Sequence, residues 1–523
     1  MAKSGEPRHA LSTSAEPADA TLPVPGLSEP AGATPRDPTT PADAGTVGTR
    51  VGRGALWSLV NTVVLRLGTV LSGIVLARIL APADYGVFAV ALVAVTLLQA
   101  FNELGVSLAV VRWQRDVREF APTVMTIAIV SSGLLYAGTY FLAPAFCAAM
   151  GSPDAVGVLR VLCIAVVLDG VAVVPAAVLN REFLQRRRFA SDMASFVTGT
   201  GLTIALALAG LGPMSFAIGR IAGNLASIAC YLSLTPVKVW PGWNPALARE
   251  LLRFGLPLAG SSLLVLSITN VDQIVVGVLS DDATLGFYLI AFNVSSWPMT
   301  VFSEAARRVS LAGFSRLVDD PPALQAALTR GLGLLMAMAV PAAVMLGAYA
   351  EPLLVFVYGA KWAPAAVALQ LLAALGLLRV LVFVCYDLLV TFGGSRRLLV
   401  IHGCWLAVLL PALVVGTRLD GLRGAALAHV LVGCLLVVPL FLYFMRGHGL
   451  RLGPSLAGCV RPAIGGALVL GSSFVVRPLV DGALTTLLVG ALVAAVVYLP
   501  VTYPMRALLP GRGGRSRPAA HAR

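Results

Sequence analysis

The chain has 523 residues, of which 58% are hydrophobic and only 12% charged, and its mean hydropathy is +0.87. Soluble domains carry roughly a quarter charged residues, so an ordinary globular protein, a disordered polymer and a disulfide-rich secreted module are excluded for most of the length. The net charge of +13 does not point to nucleic acid, because Lys and Arg fall in short loops between apolar runs rather than on one folded face.

Residues 1–52 are rich in Pro, Ala, Thr and acidic residues. They lack a signal-peptide-like apolar run and read as a disordered cytoplasmic tail. From Leu56 onward, stretches of roughly 20 apolar residues follow one another, each long enough to cross a ~30 Å hydrocarbon layer as a helix. About fourteen are predicted: 56–78, 86–109, 121–146, 158–179, 193–211, 214–235, 255–280, 284–305, 331–350, 364–391, 398–417, 424–445, 462–477 and 483–503. The expected class is an all-α polytopic membrane protein. Its parts are an N-terminal lobe of six spans (53–236), a cytoplasmic linker (237–254), a C-terminal lobe of six (255–445), two further helices (446–505) and a basic cytoplasmic tail (506–523).

Alternate loops carry the cations, among them Arg118, Arg186, Arg187, Arg188, Lys238, Arg253, Arg396, Arg397 and Arg446. The intervening loops hold only Arg78, Arg160, Lys361, Arg418, Arg423 and Arg477. By the positive-inside bias both termini are expected in the cytoplasm, in a cell-membrane protein. An internal repeat is also visible. Arg53-Gly54-Ala55-Leu56 resembles Arg253-Phe254-Gly255-Leu256, and Tyr85-Gly86-Val87-Phe88 resembles Leu285-Gly286-Phe287-Tyr288, at an offset of about 200 residues. Six spans per copy make the copies parallel, related by an axis along the membrane normal, with a site expected at their interface.

Catalytic and nucleotide motifs are absent from the sequence: there is no Walker loop, HExxH or GxSxG, and no large loop to house an enzyme site. The seven cysteines lie singly in or beside apolar stretches and read as packing residues. Asp281-Asp282 has the look of a metal-binding pair but sits where a short loop needs polar groups. No cofactor or metal is expected.

The informative residues are polar groups inside the spans, where an Arg costs ~2.5–3.5 kcal/mol at a helix centre and needs a partner or a wet cavity. Arg66 shares a helical stripe with Thr62, Thr69 and Gly73; Arg220 shares one with Asn224, Ser227 and Tyr231; Arg379 lines up with Tyr386. A guanidinium forks onto phosphate oxygens, so three of them in one cavity would form a phosphate clamp; each can instead pair with an acid. Asp272, flanked by Asn270 and Gln273 with Ser262 and Thr269 on the same broad face, offers a Na⁺ or proton site or a partner for an Arg; Asp169 is a second such acid. Asn293, Trp297, Thr300 and Glu304 form a stripe that can meet sugar rings or pack helices, and Asn224 is a further amide of that kind.

These residues carry a family likeness. Gly54-Ala55-Leu56-Trp57 together with Leu76-Ala77-Arg78-Ile79-Leu80-Ala81-Pro82-Ala83-Asp84-Tyr85-Gly86 resembles the opening of Wzx-type polysaccharide flippases. So does Leu251-Leu252-Arg253-Phe254-Gly255-Leu256-Pro257 followed by Asn270-Val271-Asp272 and Leu285-Gly286-Phe287-Tyr288, and Tyr358-Gly359-Ala360-Lys361-Trp362-Ala363-Pro364-Ala365 is similar to a loop of the same group. The resemblance implies the multidrug/oligosaccharidyl-lipid/polysaccharide exporter fold, with two six-helix lobes around a central cavity plus two extra helices. It also implies transport, without catalysis, of a polyprenyl-diphosphate-linked oligosaccharide from the inner to the outer leaflet. The family's cavity cations match in kind at Arg66, Arg220 and Arg379. Membrane lipids, a coupling H⁺ or Na⁺ and polysaccharide assembly proteins are the expected partners. A peptidoglycan-precursor flippase, a drug/cation antiporter of the same fold and a membrane glycan polymerase or ligase are the alternatives.

Overall fold

The computed structural model describes residues 41–102, 117–182, 184–236, 238–315, 317, 320–392, 394–446, 450 and 452–508. The expected tails up to residue 40 and from 509 lie outside the described residues, as do the end of the span 86–109 and the side chains of Ser262, Thr269, Thr300 and Glu304. The chain divides into two compact units, Met1–Gly52 and Arg53–Arg523, and the second holds every stretch long and apolar enough to span a membrane among the described residues.

Every regular element among the described residues is helical. Lipid offers no water to satisfy open backbone groups, and a helix satisfies its own. In chain order these are α1 (Pro41–Ile79), α2 (Pro82–Asn102), α3 (Val117–Ala149), α4 (Ala155–Leu162), α5 (Ile164–Arg181), α6 (Gln185–Leu208), α7 (Met214–Leu234) and α8 (Pro245–Leu279). Then come α9 (Asp282–Ser315), α10 (Pro321–Ala348), α11 (Ala350–Tyr358), a 3₁₀ turn (Ala360–Ala365), α12 (Ala366–Thr391), α13 (Ser395–Val432), α14 (Val438–Arg446), α15 (Leu452–Leu479) and α16 (Ala483–Thr502).

Local chemistry sets the ends. Asn244 caps α8, its side-chain oxygen accepting from the N–H groups of Ala246 (3.1 Å) and Leu247 (3.4 Å), with Pro245 at the first turn. The expected linker 237–254 is therefore already helical from Pro245. Asp320 caps α10 in the same way through Ala323 N–H at 3.1 Å. Before α2, the Asp84 carboxylate accepts from Ala81 N–H at 2.8 Å.

Eleven helical stretches among the described residues are long and apolar enough to cross a membrane. The expected fourteen spans differ from that number in identifiable places. Spans 398–417 and 424–445 fall in a single stretch, Arg396–Arg446, and spans 255–280 and 284–305 fall in α8 and α9, whose side chains are only partly described. Within the merged stretch α13 is not one rod. Asp420 and Gly421 leave helical geometry, and a Cβ on Gly424 would overlap the carbonyl of Gly416. Eight residues of straight helix would hold that pair about 12 Å apart, so α13 folds back on itself.

Packing gathers α2 to α7 on one side, with α6 against α7, α3 against α5 and α2 against α4. On the other, α9 packs on α12, α8 and α12 pack on α13, and α15 joins α10 and α16. The two sides meet where α2 crosses α8 and α9. That crossing carries the internal repeat. A Cβ on Gly86 would overlap the backbone of Asp282, and a Cβ on Gly286 would overlap that of Pro82, so the two glycines, and likewise the two residues they touch, stand 200 residues apart. Small residues permit this approach because helices in lipid associate by close packing.

The α6–α7 pair is zipped by Gly199, Gly219 and Gly223, and a Cβ on Gly223 would sit 2.8 Å from the Ser195 carbonyl oxygen. Gly223→Leu is expected to cost roughly 1–3 kcal/mol by overpacking, read as a lower melting temperature of the purified protein in detergent. An unchanged melting curve would show that the two backbones are not held this close.

Candidate functional site: a cavity between the two halves

A cavity of about 950 Å³ opens between the two groups of helices. One wall comes from α1, α2, α6 and α7, through Thr69, Gly73, Gln99, Asp192, Ser195, Arg220 and Asn224; the other comes from α8 and α9, through Asn270, Gln273, Asn293 and Trp297. Hydroxyls and amides alternate with aromatic surface. Phe88 and Phe216 stack at 4.2 Å between centroids, and both line the space.

The polar wall is built around one acid. Asp169 on α5 accepts from Asn224 at 2.8 Å and from Gln99 at 3.3 Å, and its carboxylate is 4.0 Å from the Arg220 guanidinium. Asn224 also donates to the Ala165 carbonyl at 3.2 Å, which fixes its amide. Arg220 remains half exposed, at 50%, toward the cavity. Its charge is thus oriented by Asp169 and still open to a ligand. Asp169 itself is surrounded by donors.

A second acid, Asp192, lines the cavity and ties three helices together. It accepts from Asn61 of α1 (2.8 Å) and from the Tyr231 hydroxyl of α7 (3.1 Å), with Arg188 at 3.7 Å. The sequence pattern passes over it because it lies one residue outside the expected span 193–211. Gln99 is passed over as well, because its partner Asp169 lies 70 residues away.

The three-arginine clamp expected from the sequence is not assembled. Arg66 is exposed and is not among the residues lining the cavity, although Thr69 and Gly73 of its stripe are. Arg379 lies behind the wall, its guanidinium 4.6 Å from the Phe292 ring centroid, and Phe292 faces the cavity. The cause is helix rotation: a stripe of about one face is wider than the strip a cavity touches, and packing decides which part of it is wet.

Asp272, expected as an ion site or as a partner for an Arg, stands off the cavity. It is fully buried and outside the cavity lining, while its neighbours Asn270 and Gln273 line it, as 100° per residue requires. The Tyr288 hydroxyl donates to it at 2.9 Å, the Gln273 N–H at 2.9 Å, and His429 Nδ1 stands 3.7 Å away. Nothing in the sequence marks His429, a lone histidine within the apolar run 424–445. Among the described residues no group of three His, Cys, Asp or Glu is placed to hold a metal ion, and all seven cysteines are free.

Comparisons with known proteins agree with this architecture. The family profile described as polysaccharide biosynthesis protein matches residues 75–367. The chain is 24% identical over 389 residues to lipopolysaccharide biosynthesis protein WzxC of Escherichia coli (strain K12), covering 72% of this chain and 77% of that protein. It is 25% identical over 301 residues to succinoglycan biosynthesis transport protein ExoT of Rhizobium meliloti (strain 1021), covering 57% and 60%. Among solved structures it is similar to the lipid II flippase MurJ in an inward closed conformation, with TM-score 0.68, 16% identity and coverage of 87% of this chain and 99% of that one. An inward-facing multidrug resistance MATE family transporter of the MOP superfamily gives TM-score 0.59, 17% identity and coverage of 74% and 94%. At such identities the structural likeness establishes the fold: a multi-pass helical membrane protein with the architecture of these two.

Proposed function

Because the chain belongs to the polysaccharide biosynthesis protein family, we propose that it is a flippase that carries a polyprenyl-diphosphate-linked oligosaccharide from the inner to the outer leaflet of the cell membrane. The observation that carries this reading is the cavity itself. One half-exposed guanidinium stands on one wall, amides and Trp297 on the other, inside a shell of apolar helices. A diphosphate sugar cannot cross hydrocarbon because its head is charged and hydrated, whereas its tail dissolves there. In this proposal Arg220 meets the diphosphate, Asn224, Asn293 and Trp297 meet the sugars, and the tail stays in lipid while the two halves rock about the site. ExoT is named a transport protein, and the two fold neighbours are named a flippase and a transporter, in keeping with this role.

With both termini in the cytoplasm, the outward step moves about two negative charges in the direction that an inside-negative potential favours, by ~2.3 kcal/mol per charge per 100 mV. An ion coupled through Asp169 or Asp272 has to displace the donors that now surround those carboxylates. Assembly proteins of the same polysaccharide would receive the glycan at the outer face.

The test is export of lipid-linked glycan in cells that depend on this chain. Arg220→Ala is expected to lower outer-leaflet glycan on the order of tenfold or more, the worth of one charge-assisted contact. Arg220→Lys recovers part of it, since a point charge loses the bidentate geometry, and Arg66→Ala stays near the parent. Normal export by an inserted Arg220→Ala protein overturns the assignment. A second reading has one observation behind it: Asp192 lines the same cavity, with Asp169 behind Arg220, and an acidic side is what cation antiport needs. Proton-dependent extrusion of organic cations, lost in Asp192→Asn, would replace the flippase reading.

A further inference from the structure

Parts of the segments that carry the family likeness, 76–86, 285–288 and 358–365, lie far apart in the chain, and the fold brings them to one place at one end of the cavity. That place is not the polar wall. At the end of α1, the carbonyl of Ala77 accepts from the Trp362 indole N–H at 2.8 Å, and the carbonyls of Arg78 and Leu80 accept from the Lys361 ammonium at 3.0 and 2.6 Å. In return, the Arg78 guanidinium donates to the carbonyls of Phe356 and Val357 at the end of α11, the latter at 2.9 Å. The last four carbonyls of any helix lack intrahelical donors and carry the negative end of the helix dipole. Here each of two helix ends, one from each half of the chain, is capped by a cation carried by the other half.

Trp362 is fully buried at the centre of this exchange. Its ring meets Tyr85 edge-on at 5.2 Å on one side, and Phe287 at 5.9 Å and Tyr358 at 6.5 Å on the other. Tyr85 and Tyr358 also line the cavity, so this aromatic cluster forms its floor. The turn that delivers Lys361 and Trp362 begins at Gly359, whose φ of +105° is a conformation other side chains rarely adopt.

We infer that this arrangement is a latch: the mutual capping of α1 and α11 by Lys361, Trp362 and Arg78 holds the cavity shut at this end, and its release opens the cavity there. The chemistry suits a reversible closure. Arg78 and Lys361 are exposed, so water can take over their carbonyls when they part, at a small net cost per bond. The buried indole and its ring contacts supply the bias toward the closed state. Between its ends α1 contributes Thr69, Gly73 and Leu76 to the cavity wall; it is moored further back by the Asn61–Asp192 hydrogen bond and the Trp57–Phe189 ring contact, and the Tyr85 hydroxyl donates to the Gly73 carbonyl at 3.3 Å. Swinging the latched end of α1 therefore unseals the cavity without unpacking α6 from α7. The inference rests on the reading of the cavity as a transport path.

The test uses Gly73→Cys in a protein whose seven native cysteines are replaced. A Cβ at Gly73 meets nothing within 4 Å and the residue lines the cavity, so the thiol is accommodated. The probe is a membrane-impermeant maleimide applied to intact cells and to inside-out vesicles, with exposed Asp281→Cys, at the start of α9, defining the side on which the latch lies. Labelling of Gly73→Cys from that side is expected to be slow in the parent. It should be about tenfold faster with Lys361→Ala, faster again with Trp362→Ala, and slow once more with Lys361→Arg, which keeps a donor for the α1 carbonyls. If Trp362→Ala does not accumulate, the Arg78→Ala/Lys361→Ala pair, both exposed, carries the measurement. Unchanged labelling in those variants overturns the latch. The readout needs no glycan: faster labelling in the variants of a protein whose unaltered form exports no glycan upholds the latch and overturns the flippase reading, whereas unchanged labelling with normal export overturns the latch alone.

Discussion

Asp272→Ala is expected to be among the most damaging single substitutions outside the cavity, read as loss of most folded protein in detergent extracts and a steep fall in melting temperature. The carboxylate is fully buried and is the acceptor for Tyr288 at 2.9 Å, with His429 at 3.7 Å and the Arg379 charge acting on it from α12. Removing it leaves the buried Tyr288 hydroxyl without its acceptor and takes an anion away from the His429 imidazole and the Arg379 charge. Breaking a buried charge arrangement from one side costs about 3–5 kcal/mol, a large part of a typical folding free energy. Asp272→Asn, which keeps an acceptor for Tyr288 but no charge, should fall between parent and Asp272→Ala. The Asp272→Ala/Arg379→Met pair should recover stability, because removing both charges together is close to neutral. That pair also separates structure from ion coupling. Stable protein that still exports assigns Asp272 to architecture; stable protein that has lost export assigns it to coupling. Parent-like melting of Asp272→Ala alone would show that the anion is not what holds the four helices.

How far the sequence can be read depends on what kind of force decides each feature. Spans are legible because the bilayer imposes a length, and the start of α8 is encoded in Asn244-Pro245, a cap written in two residues. The repeat is legible in Tyr85-Gly86 and Leu285-Gly286, and the structure places those glycines at the crossing of α2 and α9. Helix rotation is not legible. In a soluble helix the apolar stripe marks the core, but here lipid and core are equally apolar, so hydrophobicity does not say which face packs. Arg66 and Thr69 therefore share one stripe in the sequence, while the structure wets only Thr69 from the cavity. Arg379 has the pattern of a cavity cation because nothing local announces that Phe292, from another helix, covers it. Asp192 and His429 take their meaning from partners 39 or more residues away, Tyr231 and Asp272 respectively. The motifs 76–86, 285–288 and 358–365 of the family likeness look like marks of substrate handling, yet they converge on the Trp362 closure rather than on Arg220.

Gly86→Val and Gly286→Val are each expected to abolish the native arrangement of the two halves, with a larger effect than Gly223→Leu. At α6–α7 an added side chain can be relieved by a shift of two helices within one half. At α2–α9 the obstacle is backbone on both sides: even a methyl on Gly86 overlaps Asp282, and one on Gly286 overlaps Pro82. A carbonyl cannot rotate away as a side chain can, so the helices must separate, and overpacking of this kind reaches several times the cost of a single lost contact. Separation at this crossing also pulls Tyr85 on α2 and Phe287 on α9 away from Trp362, so the closed floor of the cavity is lost with it. The expected measurements are a large drop in melting temperature and rapid maleimide labelling of Gly73→Cys from the Trp362 side, for either substitution. Because one displacement relieves both clashes, the double variant should be little worse than either single one, a clear departure from additivity between neighbouring sites. Mild and additive effects would mean that α2 and α9 part freely and that the repeat-related glycines do not set the distance between the halves.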